Sequence, residues 1–162
     1  MQIIIKKMET DEEIKGRAFV SFQSWREAYS GIVEQKFLDN ITIDKCLETA
    51  VNTKDNTIIA KDGDRVVGFV QYRKYDYEDL EDAGEIAALY VLTDYYGKGI
   101  GYRLMQEAVK HLSGYSQIAL FVIKGNQRAI NFYTRYGFRF DGQEGMSQVG
   151  VTVARMIMIL KK

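Results

Sequence analysis

Between Glu85 and Leu112 the chain runs from a β-prone apolar segment, EIAALYVL, through YYGKGIGYR into a helical stripe of Ile100, Leu104, Ala108 and Leu112. A strand that feeds through glycines into a helix needs a further strand on which that helix can pack back, which commits the chain to an α/β arrangement. The next β-prone segment, QIALFVI at residues 117–123, supplies that strand as a parallel neighbour. Glycines also let backbone amides approach an anion closely, and a helix N-terminus adds positive partial charge. The turn is therefore a candidate phosphate or pyrophosphate cradle, the alternative being glycines that serve only a tight turn. Two other uses of such turns fail on the surrounding residues. A nicotinamide dinucleotide site places an acidic residue at the end of the following strand, about 20 residues on, whereas QIALFVIK ends in Lys124. The string GxxxxGK(S/T) of a nucleotide-binding loop occurs nowhere.

The rest of the chain surrounds this unit with further strands and helices. Residues 2–8 form a short apolar strand, and Thr10 with Glu13 has the spacing of a capping box, so a helix is expected from about Asp11. Its stripe is Ile14, Ala18, Phe22, Trp25 and Tyr29, ended by Gly31. An irregular stretch leads to a second helix, capped by Thr42 and running through Cys46 to about Val51. TIIAKDGDRVVGFVQYRK reads as a hairpin turning at Asp62-Gly63-Asp64. After Ile123 come a helix capped by Asn126 and ending near Tyr136, then strands at Phe138 to Met146 and Val151 to Leu160. With no proline, every turn is made by Gly, Asn, Asp or Ser. The expected architecture is one α/β domain over residues 1–162, with a mixed, mostly antiparallel sheet of about seven strands and helices on both faces.

Composition narrows the class. Basic and acidic residues number 22 each, so no overall positive field attracts a nucleic acid. One cysteine, Cys46, and one histidine, His111, allow neither an internal disulfide nor a Cys/His zinc site, and no metal is expected. No apolar run approaches the roughly 18 to 20 residues of a membrane span, and no signal segment is visible. A cytoplasmic protein without membrane or nucleic-acid partners is the expectation.

Two motifs carry a family resemblance. ALYVLTDYYGKGIGYRL is similar to the acetyl-CoA signature (Q/R)xxGxG(A/G), with Tyr96, Gly99 and Gly101 at its defining positions. VIKGNQRAINFYTRYGFR is similar to the strand and helix that follow, through Asn126, Ala129, Phe132, Tyr133, Gly137 and Phe138. On these the sequence resembles the GNAT superfamily of acetyl-CoA-dependent N-acetyltransferases. SWREAYSGIVEQKFLD also looks like the first two helices of many bacterial members. Tyr96 stands where the family usually has Gln or Arg, and Thr93 where Pro often ends the strand.

The resemblance implies acetyl-CoA as co-substrate, held by the amides from Gly97 through Lys98, Gly99, Ile100 and Gly101 to Tyr102, with Asn126 and Ala129 from the next helix. Lys98 is positioned in the loop to supply charge, or is simply a solvated lysine. The backbone of Leu89, Tyr90 and Val91, on a strand that splays from its neighbour, would hold the pantetheine arm and the thioester oxygen. Such amides would stabilise the developing oxyanion, at about 3 kcal/mol per well-placed donor. Tyr133 occupies the general-acid position, where a phenol of pKa about 10 can protonate or hydrogen-bond the departing thiolate. Glu85 matches the general-base glutamate of some members; alternatively it is a solvent-exposed carboxylate at a strand end. His111, in the last turn of a helix, complements the dipole. Acceptor walls would come from Trp25 to Val33 and Gln143 to Gly150, offering Trp25, Tyr29 and Met146. The acidic run from Asp76 to Asp82, with Glu85, either steers a cationic amine or is a soluble connection.

The implied activity is acetyl transfer to a small-molecule primary amine by direct attack. A peptide N-terminal acetyltransferase would need an open groove, and a non-catalytic acetyl-CoA sensor would not need Tyr133. The last strand, VTVARMIMIL, is apolar on both faces and either completes the sheet or pairs with a second subunit in a homodimer.

Overall fold

The computed structural model describes residues 2–147 and 150–160. In chain order the elements are β1 (Ile3–Lys7), α1 (Asp11–Tyr29), α2 (Gln35–Asp39), α3 (Ile43–Asn52), β2 (Thr57–Asp62), β3 (Arg65–Lys74), β4 (Ala83–Val91), α4 (Ile100–His111), β5 (Gln117–Ile123), α5 (Gln127–Tyr136), β6 (Arg139–Met146) and β7 (Thr152–Ile159). The seven strands form one sheet in the order β1-β2-β3-β4-β5-β7-β6, with β4 and β5 parallel and every other pair antiparallel. Among the described residues no helix is long and apolar enough to cross a membrane.

Local chemistry sets the helix starts. Thr10 Oγ1 accepts from the Glu13 amide at 3.1 Å, and Glu13 Oε1 accepts from the Thr10 amide at 3.1 Å, closing the capping box. Thr42 caps α3 and Asn126 caps α5 through their side chains. Between α1 and α3 the chain is not wholly irregular: α2 makes one short helical turn whose Leu38 is buried with Tyr29, Val33 and Ile123. No period is visible over five residues, and burial of Leu38 is what fixes it.

The helices lie on opposite faces of the sheet. Arg17 of α1 reaches Gln71 at 2.9 Å and covers the Phe69 ring at 4.2 Å, whereas Gly68, of opposite pleat parity, faces Leu104 of α4. The α1 stripe differs from the apolar one expected. Phe22 and Trp25 are only half-buried, while Glu13, Arg17 and Ser24 are buried, because α1 is flanked by α3 as well as by the sheet. Burial pushes the Arg17 guanidinium down to about 10, so it stays charged at neutral pH.

α1 also approaches the sheet closely at Gly16. A Cβ there would lie 2.6 Å from Val66 Cγ2 and 2.8 Å from Val66 Cβ. Alanine gains about 0.5–1 kcal/mol over glycine inside a helix, but overpacking a core costs about 1–3 kcal/mol. Val66 is buried on a paired strand and has nowhere to retreat, so the overlap wins. Gly16→Ala is expected to lower stability by about 1–2 kcal/mol in urea unfolding; an unchanged midpoint would mean that α1 slides freely.

Two features position the site. In β4, Ala88 pairs with Gln71 and Ile86 with Tyr72, leaving Ala87 as an extra, bulged residue. A bulge bends its strand and sharpens the local twist. Pairing of β4 with β5 accordingly stops at Ile86 and Leu120, and the strands splay beyond that point. The second feature is β7, which lies between β5 and β6 with both edges paired. Of the two roles expected for the last strand, β7 takes the first and completes the sheet from inside. The free edges belong to β1 and β6.

Candidate active site

A cavity of about 770 Å³ opens where β4 and β5 part, and it extends along the N-termini of α4 and α5 and to the end of α1. Its size falls within the range of small-molecule and cofactor sites. Of the residues singled out in the sequence it is lined by Tyr29, Leu89, Tyr90, Val91, Thr93, Tyr96, Gly97, Gly99, Ile100, Gly101, Tyr102, Asn126, Ala129, Phe132 and Tyr133.

At one end, Gly97 and Gly99 have φ of 75° and 76°, and a Cβ on either would meet no atom within 4 Å. Glycine is required there by backbone angle, and the space outside the turn stays open. α4 starts at Gly99 with no side-chain cap, unlike α1, α3 and α5. Its first intrahelical bond runs from the Arg103 amide to Gly99 O, so the Ile100, Gly101 and Tyr102 amides remain to meet an anion. Lys98 is exposed and is not part of the lining. Arg128, which no sequence pattern marks, places its guanidinium 3.2 Å from the centroid of the Tyr96 ring. Arg128 and Arg135 both line the cavity. The aromatic residue that replaces the usual Gln or Arg thus carries an arginine on its face.

The middle of the cavity is the splay. From Ala87 to Val91 the β4 edge turned toward β5 has no ladder partner, which leaves backbone donors and acceptors facing the cavity. Tyr29 and Tyr90 hydroxyls meet at 3.3 Å. Burial raises the Tyr90 phenol well above its ordinary range and, helped by nearby Tyr29, raises that of Tyr133 as well. Tyr133 is half-buried, with its ring set edge-on to Phe132 and Phe138.

Glu27, Ala28, Ile32 and Phe121 also line the cavity. Thr93 Oγ1 donates to Glu27, tying the end of α1 to the loop after β4. Trp25 does not line the cavity; its ring packs edge-on against Tyr29, 4.5 Å between centroids, and buttresses it. Met146 is exposed at the tip of β6 and lies outside the lining, and residues 148 and 149 of the expected second wall lie outside the described residues.

Neither expectation for Glu85 matches its surroundings. It is 4% exposed, absent from the cavity wall, and both its oxygens accept from Arg73, at 3.0 Å from Nε and 3.2 Å from Nη2. Both oxygens of that carboxylate are thus engaged by the one guanidinium. His111 ends α4 and stacks on Tyr72, 4.9 Å between centroids, away from the cavity. Cys46 is buried in α3. Glu27 falls within the expected wall from Trp25 to Val33, whereas Phe121 and Arg128 were not singled out by any pattern; only the splay and the approach of α5 bring them to the cavity.

Comparison with known proteins agrees with this geometry. The acetyltransferase (GNAT) family matches residues 20–138. The chain is 25% identical over 156 residues to a spermidine N(1)-acetyltransferase of Thermoplasma acidophilum, covering 90% of this chain and 93% of that protein. It is 30% identical over 84 residues to the spermine/spermidine N(1)-acetyltransferase of Bacillus subtilis (strain 168), covering 48% of this chain and 55% of that one. Among solved structures, the PaiA N-acetyltransferase of Thermoplasma acidophilum in complex with coenzyme A superposes with a TM-score of 0.77 at 22% identity, covering 99% of this chain and all of that one. The matched stretch takes in the splayed β4, the glycine turn and the Asn126-capped helix, and it spans most of the chain. The fold and the turn that open this cavity are therefore inherited together: the chain belongs to the GNAT family of acetyl-CoA-dependent N-acetyltransferases.

Proposed function

We propose that the chain moves the acetyl group of acetyl-CoA to a primary amine of a small cationic molecule, by direct attack with both substrates bound. The observation that carries this reading is that one continuous cavity gathers the free amides at the start of α4, Arg128, the unpaired edge of β4, Tyr133 and the Glu27 carboxylate. Acetyl-CoA supplies an activated thioester. The amides of the glycine turn and α4 take its phosphates, and Arg128 adds the charge that Tyr96 cannot. The β4 edge aligns the pantetheine arm and donates to the thioester oxygen. The amine first releases a proton to water; its nitrogen then bonds to the acetyl carbon, the carbon–sulfur bond breaks, the Tyr133 hydroxyl donates to the departing thiolate, and the second proton lost from nitrogen returns through water to restore Tyr133. Glu27 in the cavity wall favours a positively charged acceptor. The relatives' names specify small polyamine acceptors, in keeping with a carboxylate in the cavity wall.

Mass-spectrometric detection of acetyl transfer to a panel of polyamines, aminoglycosides, amino acids and peptides tests the reading. Transfer to a small amine is expected. Transfer to peptides alone, or to nothing despite coenzyme A binding, would overturn it. The arginine has its own test. Arg128→Ala is expected to weaken coenzyme A binding about tenfold in calorimetry, the value of one charge-assisted hydrogen bond. The loss should shrink at high salt and vanish for a pantetheine fragment without phosphates. An unchanged Kd would mean that Arg128 only packs on Tyr96.

A further inference from the structure

Beside the main cavity, on the sheet face that carries Tyr90 and Phe69, lies a smaller one of about 250 Å³ lined by Tyr75, Tyr77, Phe121, Glu78 and Asp79. Phe121 belongs to both walls, so the two spaces adjoin. Tyr75 is the buried floor, 4% exposed, with Tyr77 set edge-on to it at 5.2 Å and Phe121 stacked at 6.3 Å between centroids. Tyr77 and Phe121 are 61% and 39% exposed, unusual for rings that could pack inward, and they flank the opening.

The floor is fixed from below. Arg155 of β7 donates to the Tyr75 hydroxyl at 3.0 Å and to Asp79 at 2.7 Å, and its other arm pairs with Asp141 at 2.6 Å. These bonds, stronger than the burial that opposes them, hold the guanidinium firmly charged. They also pin the connection between β3 and β4 onto β7, so the rings are preorganised. Glu78 has no hydrogen bond or ion pair among the described residues. The pocket wall therefore carries two carboxylates, Glu78 and Asp79; Arg155 beneath it is shared between Asp79 and Asp141, so the wall stays net negative and presents ring surfaces beside an unpaired carboxylate.

Aromatic walls with a net negative charge take an organic ammonium group, by cation–π attraction and by Coulomb attraction to the carboxylate. We infer that the pocket of Tyr75, Tyr77, Phe121 and Glu78 binds a second ammonium of the acceptor while its reactive amine lies in the adjoining cavity, so that the protein selects amines carrying two positive charges a fixed distance apart. This rests on the proposed amine acetylation and deepens it. The acceptor class is then a flexible aliphatic diamine or longer polyamine, both of whose amines are charged at neutral pH before one is deprotonated for attack.

The test compares butylamine with a series of α,ω-diamines of increasing length, in the wild-type protein and in the Glu78→Gln and Tyr77→Leu variants. Wild-type kcat/KM should exceed that for the monoamine by about tenfold or more at the best length, and should fall for shorter and longer chains. In either variant the ratio of diamine to monoamine should drop toward one, through KM. Equal use of diamine and monoamine by the wild type, or a ratio that both variants keep, would overturn the inference while leaving amine acetylation standing. If no amine is acetylated, the proposed function fails and the pocket is read separately by titrating tetramethylammonium and following the ring protons of Tyr77 and Phe121 by NMR. Shifts present in the wild type and lost in Glu78→Gln support the site; no shift sinks it.

Discussion

Tyr133→Phe is expected to lower kcat for acetyl transfer by about 10²-fold or more, the usual span for loss of a positioned general acid. The fall should sit in kcat, since the hydroxyl acts on a sulfur that becomes an acceptor only as the thioester breaks. Burial, with Tyr29 close by, raises the Tyr133 phenol above its ordinary range, so it stays protonated across the whole working range of pH. A group whose pKa is raised loses its proton only above that raised value. The rate should therefore rise with pH toward the amine's own pKa of about 10, with no falling alkaline limb from Tyr133. A bell-shaped profile with a descending limb near pH 8, abolished in the phenylalanine variant, would instead make Tyr133 a titrating group at working pH. A phenol held so firmly neutral is first a hydrogen-bond donor to the thiolate, and full transfer follows as negative charge accumulates on sulfur.

The second large effect is on stability and lies at the start of α1. Glu13 is 4% exposed, yet its pKa is lowered to about 2. Burial alone would raise it, but that is outweighed by hydrogen bonds from Lys6 Nζ at 2.7 Å, the amides of Glu9 at 2.9 Å and Thr10 at 3.1 Å, and Lys61 Nζ at 3.1 Å. Because the folded-state pKa is depressed, this stabilisation is fully present above the ordinary carboxylate pKa of about 4.3 and disappears as pH falls through about 2. Its size is about 3 kcal/mol, a sizeable part of the roughly 5–15 kcal/mol of a typical domain. Glu13→Gln is expected to lose about that much in urea unfolding at neutral pH, with the gap to wild type closing between about pH 4.5 and 2. A gap that persists at pH 2 would trace the loss to packing instead of charge.

Where local rules decide, the sequence was readable. The Thr10–Glu13 box, the Thr42 and Asn126 caps, the Gly63 turn and the strand, glycine turn and helix at residues 85–112 each follow from residue chemistry within a few positions. Long-range register was not readable. The bulge at Ala87 has no signature in EIAALYV, because it is defined by which residues of β3 face β4. That register also decides the fate of Glu85, which meets Arg73 across the ladder, a pairing that spacing along the chain does not reveal. Arg128 looks like any exposed helix residue until α5 packs beside the glycine turn, and β7 reads as an apolar strand whose place in the sheet its pattern leaves open.

That place has a consequence for how the molecule assembles. β6 leaves the ribosome before β7, yet β7 is the strand that separates it from β5, so β6 has no docking site until the later segment has inserted. Until then β5 is held only by the four-residue ladder to β4, from Gln117 to Leu120, and by the α4 and α5 connections. Such non-local pairing slows folding and prolongs the exposure of bare strand edges. The wall of the cavity is thus completed late in folding, and a nascent chain stalled before residue 152 would carry its glycine turn beside an unfinished sheet.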